Sequence, residues 1–176
     1  SAQPAAAGTL TVQVTQPTCT SPNGRVTVTA PLDDAGNSID YHYSNNGGTY
    51  QESPEFTVAA NTAYSIVAQR KGSGCTSNVV TGTMGAQPVA AGTLTVQLTQ
   101  PTCASSNGKV TVTAPLDGNN IDYEYSNNGG NYQEDPEFTV AANAAYNIVA
   151  RRKGSGCISN AVEGTMGAQP SGPPAP

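Results

Sequence analysis

The sequence predicts an all-β fold: two tandem immunoglobulin-like antiparallel β-sandwich domains. Three observations carry the prediction. The chain is an internal duplication, its apolar residues alternate with polar ones, and turn-forming residues interrupt that alternation every 8–12 residues or so. GTLTVQVTQPTC at 8–19 returns as GTLTVQLTQPTC at 92–103, YSNNGG at 43–48 returns at 125–130, and RKGSGC at 70–75 returns at 152–157. The offset is 84 residues up to Leu32 and 82 from Ile39, so the first copy is two residues longer, in the stretch that begins at Asp33. Of 82 aligned positions, 15 differ. A unit of this length is a small domain, longer than the roughly 20–45 residues of a solenoid repeat.

The period assigns the strands. Leu10, Val12 and Val14 point one way while Thr9, Thr11, Gln13 and Thr15 point the other, until Pro17 ends the run. Val26, Val28 and Ala30 alternate with Thr27 and Thr29 up to Pro31, and Ile39, Tyr41 and Tyr43 alternate with Asp40 and His42. Asn45-Asn46-Gly47-Gly48 supplies the positive φ angles of a tight hairpin, with the return beginning at Tyr50-Gln51. Phe56 and Val58 form a further strand, Tyr64, Ile66 and Ala68 another, and Val79 to Thr83 the last. That gives about seven short strands per copy, the signature of a sandwich, with a small barrel as the competing architecture. Tyr64, at the start of a late strand, occupies the place of a tyrosine corner.

Residues 5–86 are the first sandwich, 87–91 a short linker, 92–168 the second sandwich, and 169–176 a Pro-rich tail. Ala2-Gln3-Pro4 repeats Ala86-Gln87-Pro88, so the chain reads as a piece cut from a longer array.

Each copy holds two cysteines, Cys19 and Cys75, then Cys103 and Cys157. Four cysteines allow three connectivities, and near-identical domains must solve the same geometry, so the expected bridges are Cys19–Cys75 and Cys103–Cys157. Each would close a loop of about 55 residues and stabilise the fold by roughly 4 kcal/mol in the chain-entropy model. Disulfides place the protein in an oxidising, extracellular setting.

Composition excludes several activities. Seven Lys and Arg against twelve Asp and Glu leave a net charge of −5, which disfavours nucleic acid as a partner. No run of 18 apolar residues exists to insert into a membrane as a helix. The single histidine, His42, is replaced by Glu124 in the second copy, so the copies share no histidine-based site. No catalytic motif and no cofactor-binding motif occurs, and the chain is read as a non-enzyme without cofactors. The carboxylates Glu52 and Glu55 flank Pro54 in a turn and read as solvated loop charges.

Three further features are candidate sites. Asp33, Asp34, Asn37 and Asp40, and in the second copy Asp117, Asn119, Asn120 and Asp122, are hard oxygen donors suited to calcium, although turns use the same residues for their own backbone. Tyr50 and Tyr132, just after the hairpins, are the aromatic residues placed to stack on a sugar ring. Lys71 and Lys153 lie in Gly-rich loops, which does not suit the buried lysine of an isopeptide crosslink. The Thr-rich faces read as the wet side of a sheet. The mismatches His42/Glu124, Ser65/Asn147 and Gln69/Arg151 point outward by phase and read as scattered.

Cys19, then Asn23-Gly24-x-Val26-x-Val28, then Tyr41-x-Tyr43-Ser-Asn-Asn-Gly-Gly-x-Tyr50-Gln51, then Phe56, Tyr64-x-Ile66-x-Ala68 and Gly74-Cys75 form a pattern that both copies carry. It resembles the SprB-type repeats of Bacteroidetes cell-surface proteins, including gliding-motility adhesins, over nearly the whole of each copy. The resemblance implies a secreted cell-surface array of β-domains, exported by a type IX system, whose immediate partners are neighbouring repeats of the same chain. It implies stalk domains that extend a binding region, with no catalytic or binding residues to carry over. The alternatives are a weak multivalent carbohydrate-binding module, with surface glycans as partners and avidity from the tandem, and homotypic adhesion through sheet edges.

Overall fold

Alternating Val and Thr runs are stiff at χ1 and fit a pleated, half-buried surface, and they form the strands here. The computed structural model describes residues 3–4, 6–32, 41–118 and 122–172. It divides into two units, Ser1–Pro88 and Val89–Pro176. The first contains β1 (Thr11–Thr15), β2 (Asn23–Ala30), β3 (Tyr41–Asn45), β4 (Glu55–Ala59), β5 (Ala63–Arg70) and β6 (Val80–Thr83). The second contains β7 (Thr95–Thr99), β8 (Asn107–Ala114), β9 (Tyr123–Asn127), β10 (Glu137–Ala141), β11 (Ala145–Arg152) and β12 (Val162–Thr165). Among the described residues each copy has six named strands, and the hairpin return at Tyr50-Gln51 is a single bridge between Tyr43 and Gln51.

In the first copy one antiparallel sheet has the order β1-β2-β4 and the other β3-β5-β6, and the second copy repeats this as β7-β8-β10 and β9-β11-β12. The chain changes sheet between β2 and β3, returns for β4 and crosses again for β5, which is the immunoglobulin-like path. The inner faces meet over Val26, Val28, Tyr43, Phe56, Ile66 and Met84, all at most 8% exposed. Tyr43 is buried whole, and its hydroxyl donates to the Pro31 carbonyl oxygen at 2.7 Å; Tyr125 does the same to Pro115. Tyr64, expected at a tyrosine corner, instead lays its ring over Gly82 on β6, where an added Cβ would stand 2.3 Å from its Oη. The tie to a main-chain carbonyl expected of a corner is made by Tyr43.

The path gives each sandwich two distinct ends. Asn23 pairs with Ala59, so the start of β2 lies beside the finish of β4. β5 starts at that same end, because Ala63 pairs with Thr83 at the finish of β6. We call this the outgoing end, since the chain leaves the copy there. β1 begins at the opposite, incoming end: the Leu10 N–H donates to Asn78 Oδ1 at 2.8 Å, in the segment between β5 and β6.

This geometry corrects the expected disulfides. Cys19 lies between β1 and β2, at the outgoing end, whereas Cys75 lies beyond β5, at the incoming end, where its carbonyl oxygen accepts from Arg70 N–H at 2.9 Å. The eight residues of β5 separate the two ends by about 23 Å at ~3.3 Å per residue, while a disulfide needs Cα atoms within about 7 Å. The same holds for Cys103 and Cys157. Neither Cys19–Cys75 nor Cys103–Cys157 forms: Cys75 and Cys103 are free thiols.

On either side of the division at Pro88, residues of the segment read as a linker bond to their own unit. Gln87 Nε2 donates to the Thr18 carbonyl oxygen at 3.4 Å, Ala91 is buried, and the Val89 carbonyl oxygen accepts from the Ser155 hydroxyl at 2.7 Å.

Candidate functional site

The hairpin after β3 presents the sugar-stacking candidates. Asn46 and Gly47 take φ of 52° and 68°, the left-handed pair that a two-residue turn needs, as do Asn128 and Gly129. Tyr50 follows the turn and is 37% exposed. Its ring does not stand free. His42, outward on β3, stacks on it with centroids 4.4 Å apart, and His42 Nε2 lies 2.6 Å from Oε1 of Gln69, its cross-strand partner on β5. In the second copy the Arg151 guanidinium lies 3.8 Å over the Tyr132 ring, and its Nη2 is 2.6 Å from Glu124 Oε1. Both tyrosines therefore have one face covered, by an imidazole in one copy and a guanidinium in the other.

This arrangement corrects the reading of the mismatches as scattered. They are outward, but they face one another. His42 opposes Gln69 where Glu124 opposes Arg151. Ser65 opposes Thr81 where Asn147 opposes Glu163, and Asn147 Nδ2 donates to Glu163 Oε1 at 3.1 Å. Outward phase identifies the face of a strand; only the register shows which outward residues meet.

Charges around the hairpins are paired. Lys71 Nζ lies 2.7 Å from Glu52 Oε1, and this hydrogen bond and charge hold the Glu52 carboxyl below its ordinary range. Lys153 bonds Glu134 in the same way, which raises the lysine. Both lysines thus lie in surface ion pairs, away from the buried setting that an isopeptide crosslink needs. Glu55 pairs with Arg25 at 3.2 Å.

Of the calcium candidates, Asp33, Asp34, Asn37, Asp40, Asn119 and Asn120 lie outside the described residues. Asp117 and Asp122 serve their own loop. Asp117 Oδ1 accepts from the N–H groups of Asp122 and Tyr123 at 3.1 and 2.6 Å, and Asp122 faces Arg152 at 3.8 Å. Among the described residues no group of three His, Cys, Asp or Glu is arranged to hold a metal. The Thr faces pair within themselves, with the Thr11 and Thr29 hydroxyls 2.8 Å apart, and Thr95 and Thr113 likewise.

Two features escaped the sequence reading. An open groove of about 460 Å³ at the outgoing end of the first copy is lined by Thr15, Gln16, Thr18, Ser21, Asn23 and Arg25. Its amide Gln16 is already engaged, accepting the Gly85 N–H at 2.9 Å. The second feature is the asparagine three residues after each incoming-end cysteine, Asn78 and Asn160, which anchors the start of the sandwich. Its recurrence in Ser77-Asn78 and Ser159-Asn160 was the available signal.

No protein-family model matches the chain, and no curated protein does. Among solved structures, the chicken CNTN1 FN1–FN3 domains are similar at 12% identity with a TM-score of 0.46, covering 94% of this chain and 69% of that one. A two-domain fibronectin type III segment from chicken tenascin is similar at 14% identity with a TM-score of 0.31, covering 90% of this chain and 98% of that one.

Proposed function

We propose that each copy is a spacer domain in the stalk of a secreted bacterial surface adhesin, the role implied by the resemblance to SprB-type repeats. The observation that carries this reading is the placement of the two ends. The chain enters each sandwich at one end of β1 or β7 and leaves at the opposite end of β6 or β12. Tension along the chain therefore loads the ladders of these strands along their length, so that several hydrogen bonds resist together. Sugar binding is less well supported, because the face of each candidate tyrosine is covered by a different residue in each copy. Tandem avidity needs the same surface twice.

Two measurements test the reading. Pulled in reductant, the two-copy chain should unfold in two discrete force events, each releasing at most about 29 nm, from 82 residues at ~3.5 Å. On a broad glycan array it should bind no sugar class. Extension without force peaks would defeat the spacer role. Binding to one sugar class that Tyr50→Ala and Tyr132→Ala abolish would put the carbohydrate module in its place.

A further inference from the structure

Asn-Gly dipeptides are prone to lose the asparagine amide, because glycine has no side chain to shield its main-chain nitrogen or to restrict φ. The chain holds four: Asn23-Gly24, Asn46-Gly47, Asn107-Gly108 and Asn128-Gly129. The fold puts them in two different settings. Asn23-Gly24 and Asn107-Gly108 lie in β2 and β8, the central strands of their sheets. Ala60 N–H donates to the Pro22 carbonyl oxygen, so the antiparallel alternation makes Gly24 and Val58 the next bonded pair and commits the Gly24 N–H to Val58. Ala142 and Ser106 set the same pattern for Gly108 and Val140. Asn46-Gly47 and Asn128-Gly129 instead form the exposed hairpin tips. Among the described residues no acceptor takes the Gly47 or Gly129 N–H, and nothing lies within 4 Å of where either glycine would carry a Cβ. Asn46 is held by two bonds alone, from its N–H to the Ser65 carbonyl oxygen at 2.9 Å and from Nδ2 to the Ala63 carbonyl oxygen at 3.1 Å. Asn128 bonds Asn147 and Ala145 in the same way.

We propose that Asn46 and Asn128 are self-modification sites, one at the hairpin tip of each copy, where the folded chain deamidates with water as the only co-reactant. The Gly47 nitrogen attacks Asn46 Cγ and forms a new C–N bond. The Cγ–Nδ2 bond breaks, and Nδ2 leaves as ammonia with the proton from Gly47. Water then opens the cyclic imide and returns a proton to the Gly47 nitrogen. Opening at Cγ gives aspartate, opening at the main-chain carbonyl gives isoaspartate, and no electrons are exchanged. The reaction waits on opening of the tip, which breaks two exposed bonds, whereas freeing the Gly24 N–H breaks a central ladder. Local opening of this kind is far less costly than loss of core strands. The product changes the hairpin. A carboxylate oxygen replaces the donor that faced the Ala63 carbonyl oxygen, so the tie to the start of β5 is lost and the tip gains a negative charge. The isoaspartate form also adds one atom to the main chain of a two-residue turn. The inference does not depend on the stalk reading.

The test incubates the whole chain in warm, mildly alkaline buffer, folded or in concentrated urea, and maps tryptic peptides by mass spectrometry over time. Cleavage after Arg25, Arg70, Lys71, Lys109 and Arg151 puts the four dipeptides in four different peptides: 1–25, 26–70, 72–109 and 110–151. In the folded chain, aspartate and isoaspartate should accumulate at Asn46 and Asn128 at least about tenfold faster than at Asn23 and Asn107. In urea the four rates should converge. Equal rates in the folded chain would overturn the proposal, and so would a difference that persists in urea, since neighbouring sequence and not the fold would then set it. Asn45→Ala tests the gating step. Asn45 Oδ1 accepts the Ser65 N–H at 3.0 Å, so its loss loosens the same tip. The rate at Asn46 should rise several-fold while Asn128, in the same molecule, keeps its parental rate; an unchanged rate at Asn46 would show that tip opening does not control the reaction. Asn46→Asp, the direct product, should fold and lower the exchange protection of the residue 46 amide. Parental protection there would overturn the claim that deamidation releases the hairpin.

Discussion

Arg151 on β11 and Glu124 on β9 stand directly opposite, with Nε and Nη2 at 2.9 and 2.6 Å from one carboxylate oxygen, while the same guanidinium covers Tyr132. In the first copy these positions are Gln69 and His42, also joined, and there His42 packs on the equivalent tyrosine, Tyr50. Two different pairs fill one structural slot.

The first prediction follows from that pairing. Glu124→His alone sets an imidazole beside Arg151 and should cost about 1 kcal/mol, the upper range for a partly exposed pair. Adding Arg151→Gln rebuilds the pair of the first copy and should recover most of the loss. A double-mutant cycle by urea denaturation measures the coupling. Losses that simply add would show that the two positions are independent.

The second concerns Gly24 and Gly108. A Cβ on Gly24 would lie 2.3 Å from Met84 Sδ and 2.5 Å from the Thr15 carbonyl oxygen, and Gly108 meets Met166 and Thr99 in the same way. The methionine can move, but the backbone of β1 cannot without losing its ladder. Gly24→Ala should therefore destabilise by about 1–3 kcal/mol, as overpacking does. Gly72→Ala, with nothing within 4 Å, should change stability by less than about 1 kcal/mol. Equal midpoints for the two variants in denaturant would contradict this account.

These two cases show what the sequence could disclose. The alternation of Val26, Val28 and Tyr43 with Thr27 and His42 gave the inward face, and Asn46-Gly47 gave the turn, because both are local properties of the backbone. The cysteine pairing was not legible. Periodicity assigns Cys19 and Cys75 to loops but does not say at which end of the sandwich each loop lies. That depends on the path β4 to β5, a nonlocal fact. The surroundings of Tyr50 were illegible for a related reason: its position after the turn gives its exposure, but the residue stacked on one face, His42, is supplied by register.

A third prediction concerns pH. Burial pushes the Tyr125 hydroxyl up to about 12, with the nearby Asp117 charge adding to the effect. An unfolded tyrosine ionises near 10. Below that pH the group is neutral in both states and stability is unaffected. Between about 10 and 12 the unfolded chain gives up the proton while the folded one keeps it, so stability falls as pH rises, by about 1.4 kcal/mol per pH unit at most. Tyr125→Phe removes this group from the balance, so its stability should fall less steeply than that of the parent in urea titrations from pH 9 to 12. Parallel curves for parent and variant would rule out Tyr125 as a source of the alkaline loss.

The last prediction concerns the anchor that sets the incoming end. Asn160 Oδ1 accepts the Leu94 N–H at 2.8 Å and its Nδ2 reaches the Leu94 carbonyl oxygen at 3.4 Å, so one side chain satisfies both main-chain groups of the residue that opens the second sandwich. Leu94 is a core residue, 2% exposed, and its backbone groups have little access to water. Asn160→Ala leaves a buried donor without its partner and should cost about 1–3 kcal/mol. For a unit of this size that corresponds to a fall of several degrees in Tm. Hydrogen exchange locates the effect: the Leu94 amide should lose protection while Ile148, on the central strand β11, keeps it. Asn160→Asp retains the acceptor for the Leu94 N–H and should restore that amide's protection. Unchanged exchange at Leu94 in Asn160→Ala would mean that the start of the sandwich is held by β7 pairing alone.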